Sequence, residues 1–282
     1  MAELTRRLYE AAAADDLPAL QDCLAEGVDL RRPHVDLTDM SRVLTTPLHA
    51  ACEFGHASCA AALLAAGADP EAANLHGMCP LHVAANCGRL ACVQLLLAAG
   101  AKLGARDYMG YAPMSYAALC GWLPVVKQLL AADPRAALQR NGAGELPLQL
   151  ALEQENYSIA RVLLEEGALP AARVKEVLWL LRSTGPLGPP GEPLYAALAA
   201  RQQLTAAQWA AVPSPCRGLG AALPAVLARS KQEAAELVHR LPEAERLRLR
   251  TFTLCLARAQ QRMRAQLPPP LVQALLMAAV AP

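Results

Sequence analysis

The chain has 282 residues, of which 54% are hydrophobic, 4% aromatic and 18% charged. This composition excludes an intrinsically disordered chain and predicts a large core built mostly from Ala and Leu. The 26 Lys and Arg residues nearly balance the 25 Asp and Glu residues, for a formal net charge of +1, so no general attraction to nucleic acid or to an acidic membrane is expected.

The longest uncharged run, from Tyr108 to Val126, approaches the length of a membrane span. Gly110, Pro113, Gly121 and Pro124 interrupt it, so we predict no transmembrane helix. No apolar run follows the charged N-terminal sequence, and the chain has nine cysteines. We therefore expect free thiols in a reducing compartment, the cytoplasm or the nucleus.

Four prolines recur along the chain at intervals of 33, 33 and 34 residues. The sequence around them reads Thr46-Pro47-Leu48-His49-Ala50-Ala51, Cys79-Pro80-Leu81-His82-Val83-Ala84-Ala85, Ala112-Pro113-Met114-Ser115-Tyr116-Ala117-Ala118 and Leu146-Pro147-Leu148-Gln149-Leu150-Ala151. Each block is followed by further repeated features, namely the glycines Gly55, Gly88 and Gly121 and the leucine pairs Leu63-Leu64, Leu96-Leu97, Leu129-Leu130 and Leu163-Leu164.

These residues resemble the ankyrin repeat, whose pattern fits four times between Ser41 and Pro170. The resemblance implies an all-α solenoid in which each unit is a helix, a turn, a second helix and a hairpin. Proline fits the first turn of a helix, where no donor is lost, and glycine permits the left-handed turn between the helices. Because no unit buries its apolar face alone, neighbouring units must stack.

The ends of the array depart from the repeat pattern. Residues 1–30 follow it without the Thr-Pro-Leu-His block and are predicted to form an N-terminal cap, followed by a long polar loop near 31–40. In the last unit Gln149 replaces the histidine and Glu155 replaces the mid-repeat glycine. We predict that repeats span 41–170 and that a helix at 172–182 closes a repeat domain of residues 1–184.

A Pro- and Gly-rich stretch at 185–193 is predicted to be a linker, and 194–282 a helical C-terminal module. Within the module we expect helices near 194–203 and 205–212 and a break at Pro213-Ser214-Pro215. A further helix is expected to start at Ser230, with a capping box to Glu233.

The ankyrin resemblance also implies where a partner would bind. In that family, contacts usually come from the hairpin tips, from the residue before the Thr-Pro pair and from the two residues before the mid-repeat glycine. With Trp122 at the rim, the positions chosen here are Arg42, Phe54, Leu75, His76, Met78, Asn86, Tyr108, Met109, Tyr111, Leu119 and Trp122. This set is unusually apolar, which suits a protein or peptide partner. The alternative is that Leu75, Leu119 and the tyrosines only pack adjacent hairpins, or that the C-terminal segment covers them.

Catalysis and metal binding are not expected. His49 and His82 stand at the family's Leu-His position, where the resemblance implies a structural hydrogen bond to the hairpin backbone. Cysteines such as Cys59 and Cys92 lie 33 residues apart and mark equivalent repeat positions rather than a ligand cluster. No nucleotide-binding, nucleophile-elbow or metalloprotease motif occurs, so we predict a non-enzyme without cofactors.

Charge divides the chain, because residues 1–170 carry 12 basic and 19 acidic side chains and residues 171–282 carry 14 and 6. Seven arginines lie between Arg240 and Arg264, along what is predicted to be one helix with a solvated face. No known nucleic-acid-binding motif accompanies them.

The C-terminus shows a partial resemblance to a SOCS box and, over Leu267 to Leu276, to an F-box. Such elements recruit Elongin and cullin, or Skp and cullin, to a ubiquitin ligase. The residues that carry the resemblance are Leu254, Cys255, Leu267, Pro268, Leu271 and Leu275. We therefore predict a non-catalytic interaction scaffold, with substrate recognition for a cullin-type ubiquitin ligase as the alternative. A small helical module that packs on the stack or dimerises remains open for this segment.

Overall fold

The structure is a computed structural model that describes residues 2–30, 45–167, 169–170, 173–183, 193–216 and 218–249. The regular elements of these residues are helices, as the all-α prediction requires. The chain divides into two compact units, Met1–Ala168 and Leu169–Pro282. No helix in the described ranges is both long enough and apolar enough to cross a membrane.

The first unit consists of five successive helix pairs. Their bounds are α1 Ala2–Ala14 and α2 Leu17–Ala25, α3 Pro47–Phe54 and α4 Ala57–Ala65, α5 Pro80–Asn86 and α6 Leu90–Ala98, α7 Pro113–Leu119 and α8 Leu123–Ala132, and α9 Pro147–Glu153 and α10 Tyr157–Glu166. A short 3-10 helix, Pro134–Leu138, follows α8. The order confirms the predicted all-α solenoid of helix–turn–helix units.

The repeated residues account for the repeated helices. Proline occupies the first turn of α3, α5, α7 and α9, after a residue with extended backbone. At the turn inside each pair the backbone is left-handed, with φ of 86° at Gly55, 70° at Gly88 and 84° at Gly121. Glu155 and Asp15 hold the same conformation, with φ of 56° and 59°. The last repeat and the cap therefore change the residue at this turn but keep its backbone.

Stacking is local along the first unit. The first helix of each pair contacts the first helix of the next, from α1 to α9, and the second helices do the same from α2 to α10. The first leucine of each Leu-Leu pair is buried in the stack, at Leu63, Leu96, Leu129 and Leu163. Each unit thus buries its apolar face only against its neighbours.

The second unit is built from shorter helices without a repeat. They are α11 Val174–Ser183, α12 Pro193–Arg201, α13 Ala206–Trp209, α14 Leu223–Arg229 and α15 Lys231–His239, and residues 243–249 are also helical. α11 corresponds to the helix expected at 172–182, and it is grouped with this unit. Its role as the end of the repeat stack stays a prediction.

Three details of the second unit differ from the sequence expectation. The helix expected at 205–212 ends at Trp209, and α14 had not been anticipated after the Pro213-Ser214-Pro215 break. At α15, the Ser230 hydroxyl accepts a hydrogen bond from the Glu233 amide at 3.3 Å. The Glu233 carboxylate instead pairs with Arg229 at 3.2 Å. Only half of the predicted capping box forms, because the arginine one position before the cap is the stronger partner for the carboxylate.

Candidate functional site

The hairpin tips of the first unit are shaped by one side chain that recurs at Asn74, Asp107 and Asn141. The Asp107 Oδ1 accepts hydrogen bonds from the amides of Met109 at 3.0 Å and Tyr111 at 2.8 Å. The Asn74 Oδ1 accepts from His76 at 2.9 Å and Met78 at 3.0 Å. Asn141 makes the equivalent pair to Ala143 and Glu145. These side chains replace backbone partners inside the turns and fix the tips.

Neighbouring tips are also joined through their backbones. The Tyr108 amide donates to the His76 carbonyl at 3.1 Å, and the Gly142 amide donates to the Met109 carbonyl at 2.9 Å. The Tyr108 ring lies over Gly77, where an added Cβ would come within 2.7 Å of the ring. The tips therefore form one continuous ridge.

Large apolar side chains stand exposed on this ridge. Tyr108 is 79% exposed, Met109 69% and Leu75 39%, and His76 beside Leu75 is exposed as well. We call Leu75, His76, Tyr108 and Met109 the tip strip. All four had been assigned to the partner surface from the sequence, and the structure brings them together on two adjacent tips.

Replacing Asp107 with Ala is expected to lower the free energy of unfolding by about 1 to 2 kcal/mol, because the partly buried amides of Met109 and Tyr111 lose their acceptor. Asp107→Asn keeps the Oδ1 acceptor, as Asn74 and Asn141 do at the same position, and should cost less than half as much. Urea unfolding followed by circular dichroism measures both changes. Equal losses in the two variants would show that the turn does not depend on this acceptor.

Tyr111 belongs to a half-buried pair of tyrosines behind the tip rather than to the exposed strip. It is half-buried, and its ring centroid lies 5.4 Å from that of Tyr116. The Tyr116 hydroxyl donates to the Asp107 Oδ2 at 2.6 Å, and burial, followed by this hydrogen bond, raises the pKa of Tyr116. The Tyr111 ring thus packs against the first helix of its own unit, and its part in partner binding stays a prediction.

The repeat histidines connect successive units. The Nε2 of His49 donates to the Met78 carbonyl at 2.9 Å, and the Nε2 of His82 donates to the Tyr111 carbonyl at 3.0 Å. Their Nδ1 atoms accept the backbone amides of Thr46 and Cys79. These bonds confirm the structural role expected for both imidazoles.

A second set of cross-repeat bonds had not been anticipated from the sequence. The first residue after each left-handed turn donates to a carbonyl at the end of the preceding unit's first helix. The four donors are His56 to Ala13, Arg89 to Glu53, Trp122 to Asn86 and Asn156 to Ala118 and Leu119. Their recurrence at intervals of 33, 33 and 34 residues is the signal that could have revealed them.

Trp122 therefore has a structural role besides its proposed contact role. Its Nε1 donates to the Asn86 carbonyl at 2.7 Å, and its ring lies over Gly88, while 40% of the side chain stays exposed. The Asn86 amide oxygen accepts from the exposed Cys120 thiol at 3.3 Å. Asn86 and Trp122 form a rim between the first helices of adjacent units.

The other assigned positions are less accessible or lie elsewhere. Phe54, Met78 and Leu119 are half-buried, and Phe54 stacks on His56 with ring centroids 5.9 Å apart. Arg42 lies outside the described residues. So do the six positions assigned to a ligase adaptor, namely Leu254, Cys255, Leu267, Pro268, Leu271 and Leu275.

The described cysteines are not joined in disulfide bonds, and burial opposes thiolate formation at most of those in the first unit. The exception is Cys92, whose pKa is lowered by its hydrogen bond with the Cys52 thiol. Burial raises the pKa of Cys59 to about 11, and it also raises the pKa values of Cys79, Cys87 and Cys120. Within the described ranges no group of His, Cys, Asp and Glu side chains is arranged to hold a metal ion.

Comparison with known proteins agrees with this architecture. Residues 8–107 match the family model of ankyrin repeats in three copies. No curated protein matches the chain. The match runs from the cap through the tip that carries Asp107, and the same helix pairing continues through α10. The first unit of this chain is therefore an ankyrin-repeat solenoid.

Proposed function

We propose that the protein is a non-catalytic adaptor that captures a protein or peptide partner on the tip strip. Ankyrin repeats are general protein–protein interaction modules, which supports the class of function. The observation that carries the choice of surface is the exposure of Tyr108 and Met109 on adjacent positions of one tip. Tyr and Met supply large contact area that adapts to another protein surface.

The construction of the ridge favours binding over accidental exposure. Asp107 and the backbone bonds between tips hold the main chain beneath the apolar side chains. A partner then has to order only side chains, which keeps the entropic cost of binding low. Trp122, whose ring is fixed by its bond to Asn86, offers a second rigid apolar edge.

The test is affinity purification with mass spectrometry of the full chain and of a Tyr108→Ala/Met109→Ala variant. We expect the principal partner to be lost from the variant, and its isolated affinity to fall about tenfold or more, because aromatic anchors dominate interfaces. Leu247→Ala is the matched control, since Leu247 is 63% exposed but lies in the second unit. Thermal melts must show that the variant folds. Recovery of the same partners at the same levels from all three proteins would refute the assignment.

Recruitment of a cullin-type ubiquitin ligase is the alternative, and the sequence pattern from Leu254 to Leu275 supports it. The affinity purification described above also tests this alternative. Elongin, Skp or cullin subunits recovered with both the full chain and the tip variant would favour a ligase adaptor whose substrate binds the tip strip. A ligase-free partner set would favour the plain scaffold.

A further inference from the structure

The second unit contains a groove between α11 and α13. Its volume is about 550 Å³, within the range of ligand and peptide side-chain pockets. Leu178, which is buried, and the methyl groups of Ala207 and Ala211 provide apolar walls. Trp179 also lines the groove and is 64% exposed, the highest exposure among the chain's three tryptophans.

Two cations flank the tryptophan on the same helix. Lys175 lies four residues before Trp179 and Arg182 three residues after it, so the three side chains share one face of α11. Both cations are exposed, and neither forms an ion pair with a carboxylate of the described ranges. The only other polar side chain of the lining is Gln208, which is uncharged.

The surroundings of the groove are positively charged, like Lys175 and Arg182 themselves. No acidic side chain lines the groove, and residues 171–282 carry 14 basic against 6 acidic side chains. A ligand with carboxylates is therefore attracted from a distance and paired on arrival. The exposed indole next to the cations requires that the ligand also bring an apolar group.

We propose that this groove binds an acidic peptide segment of a partner protein, with an apolar side chain on Trp179 and carboxylates on Lys175 and Arg182. The two cations are seven residues apart on a helix, about 10 Å along its axis. In an extended peptide, carboxylates four residues apart lie on one face and span about 13 Å, and the flexible Lys and Arg side chains can reach over the small difference. The preferred sequence therefore has two acidic residues that bracket a large apolar residue.

A nucleic acid is the less suitable occupant, although Trp, Lys and Arg occur at such sites too. A single-stranded nucleic acid needs a continuous track of cations for successive phosphates and several aromatic platforms. The groove provides one aromatic ring and two cations between apolar walls.

The experiment titrates the full chain with a dye-labelled peptide of repeated Asp-Phe-Leu-Asp blocks and follows anisotropy and Trp fluorescence. Trp179→Ala and Lys175→Glu/Arg182→Glu should each weaken binding about tenfold or more. Leu247→Ala and Arg248→Glu are matched controls on the exposed helical segment at 243–249 and should bind normally. Higher salt should weaken binding, and a peptide with Asn in place of Asp should not bind. The Tyr108→Ala/Met109→Ala variant should bind like the parent, which separates this site from the tip strip.

Three outcomes would overturn the proposal. One is equal affinity in the groove variants and the controls. Another is tighter binding of labelled oligo(dT) or oligo(U) than of the acidic peptide at the same groove residues. The third is Trp179-dependent dimerisation in sedimentation experiments without any peptide binding, because the occupant would then be a second copy of the chain.

Discussion

Acidification from pH 7 to pH 4 should destabilise the repeat unit by about 3 kcal/mol through His49 alone. His49 is almost fully buried, and burial lowers the pKa of its imidazole from 6.5 to about 4. The bond to the Met78 carbonyl opposes this shift without cancelling it. Burial also lowers the pKa of His82, which adds to the effect in the same direction.

The direction follows from proton uptake in the two states. Between pH 6.5 and pH 4 the unfolded chain binds a proton at His49 that the folded chain does not bind, so unfolding becomes more favourable as the pH falls. Above pH 6.5 both states are neutral at this site, and its full contribution to stability is present. Below pH 4 the folded imidazole is protonated too, and the loss levels off.

Urea unfolding of the parent chain and of two variants, at several pH values between 7 and 4, gives the free energy of unfolding as a function of pH. His49→Gln removes the titration, and Gln149 already occupies the equivalent position in the last repeat, so the variant should fold with a shallower dependence of stability on pH. His76→Gln is the control, because His76 is exposed at a tip and should leave the parent curve unchanged. An identical slope in the His49 variant would show that this imidazole titrates normally in the fold.

The repeat architecture could be predicted because its determinants are local and periodic. Pro47, Pro80, Pro113 and Pro147 each mark the first turn of a helix, and the glycines eight residues after the first three mark left-handed turns. The stacking partners then follow from the period alone. The tip strip was predictable for the same reason, since its residues occupy fixed positions in the repeat.

The parts that sequence analysis missed depend on particular side-chain contacts that the repeat period does not specify. The hydrogen bond from Tyr116 to Asp107 joins a tip to the helix that follows it. Nothing in the spacing of the sequence distinguishes Asp107 from Asn74, which stands at the same repeat position. The groove beside Trp179 forms only where α13 comes to lie next to α11, and this unit has no repeat that reveals such pairs. In the absence of a period, local patterns give helices but not their packing.

Gly88→Ala is expected to cost about 3 kcal/mol, whereas Gly100→Ala should cost about 1 kcal/mol. Both glycines are left-handed, with φ of 70° and 87°, so both variants carry the backbone strain of an L-residue in this region. A Cβ at Gly100 would meet nothing within 4 Å. A Cβ at Gly88 would overlap the Trp122 ring, which has to move. The difference between the variants therefore measures the cost of displacing the tryptophan.

Displacing the ring also breaks the bond between the Trp122 Nε1 and the Asn86 carbonyl, which joins two neighbouring repeats. In the double variant Gly88→Ala/Trp122→Ala the space is already open, so its destabilisation should be smaller than the sum of the two single losses. Urea unfolding of the four proteins gives this coupling energy directly, and coupled neighbours differ from additivity by about 0.5 to 3 kcal/mol. Strict additivity would mean that the Gly88 turn and the Trp122 ring act independently.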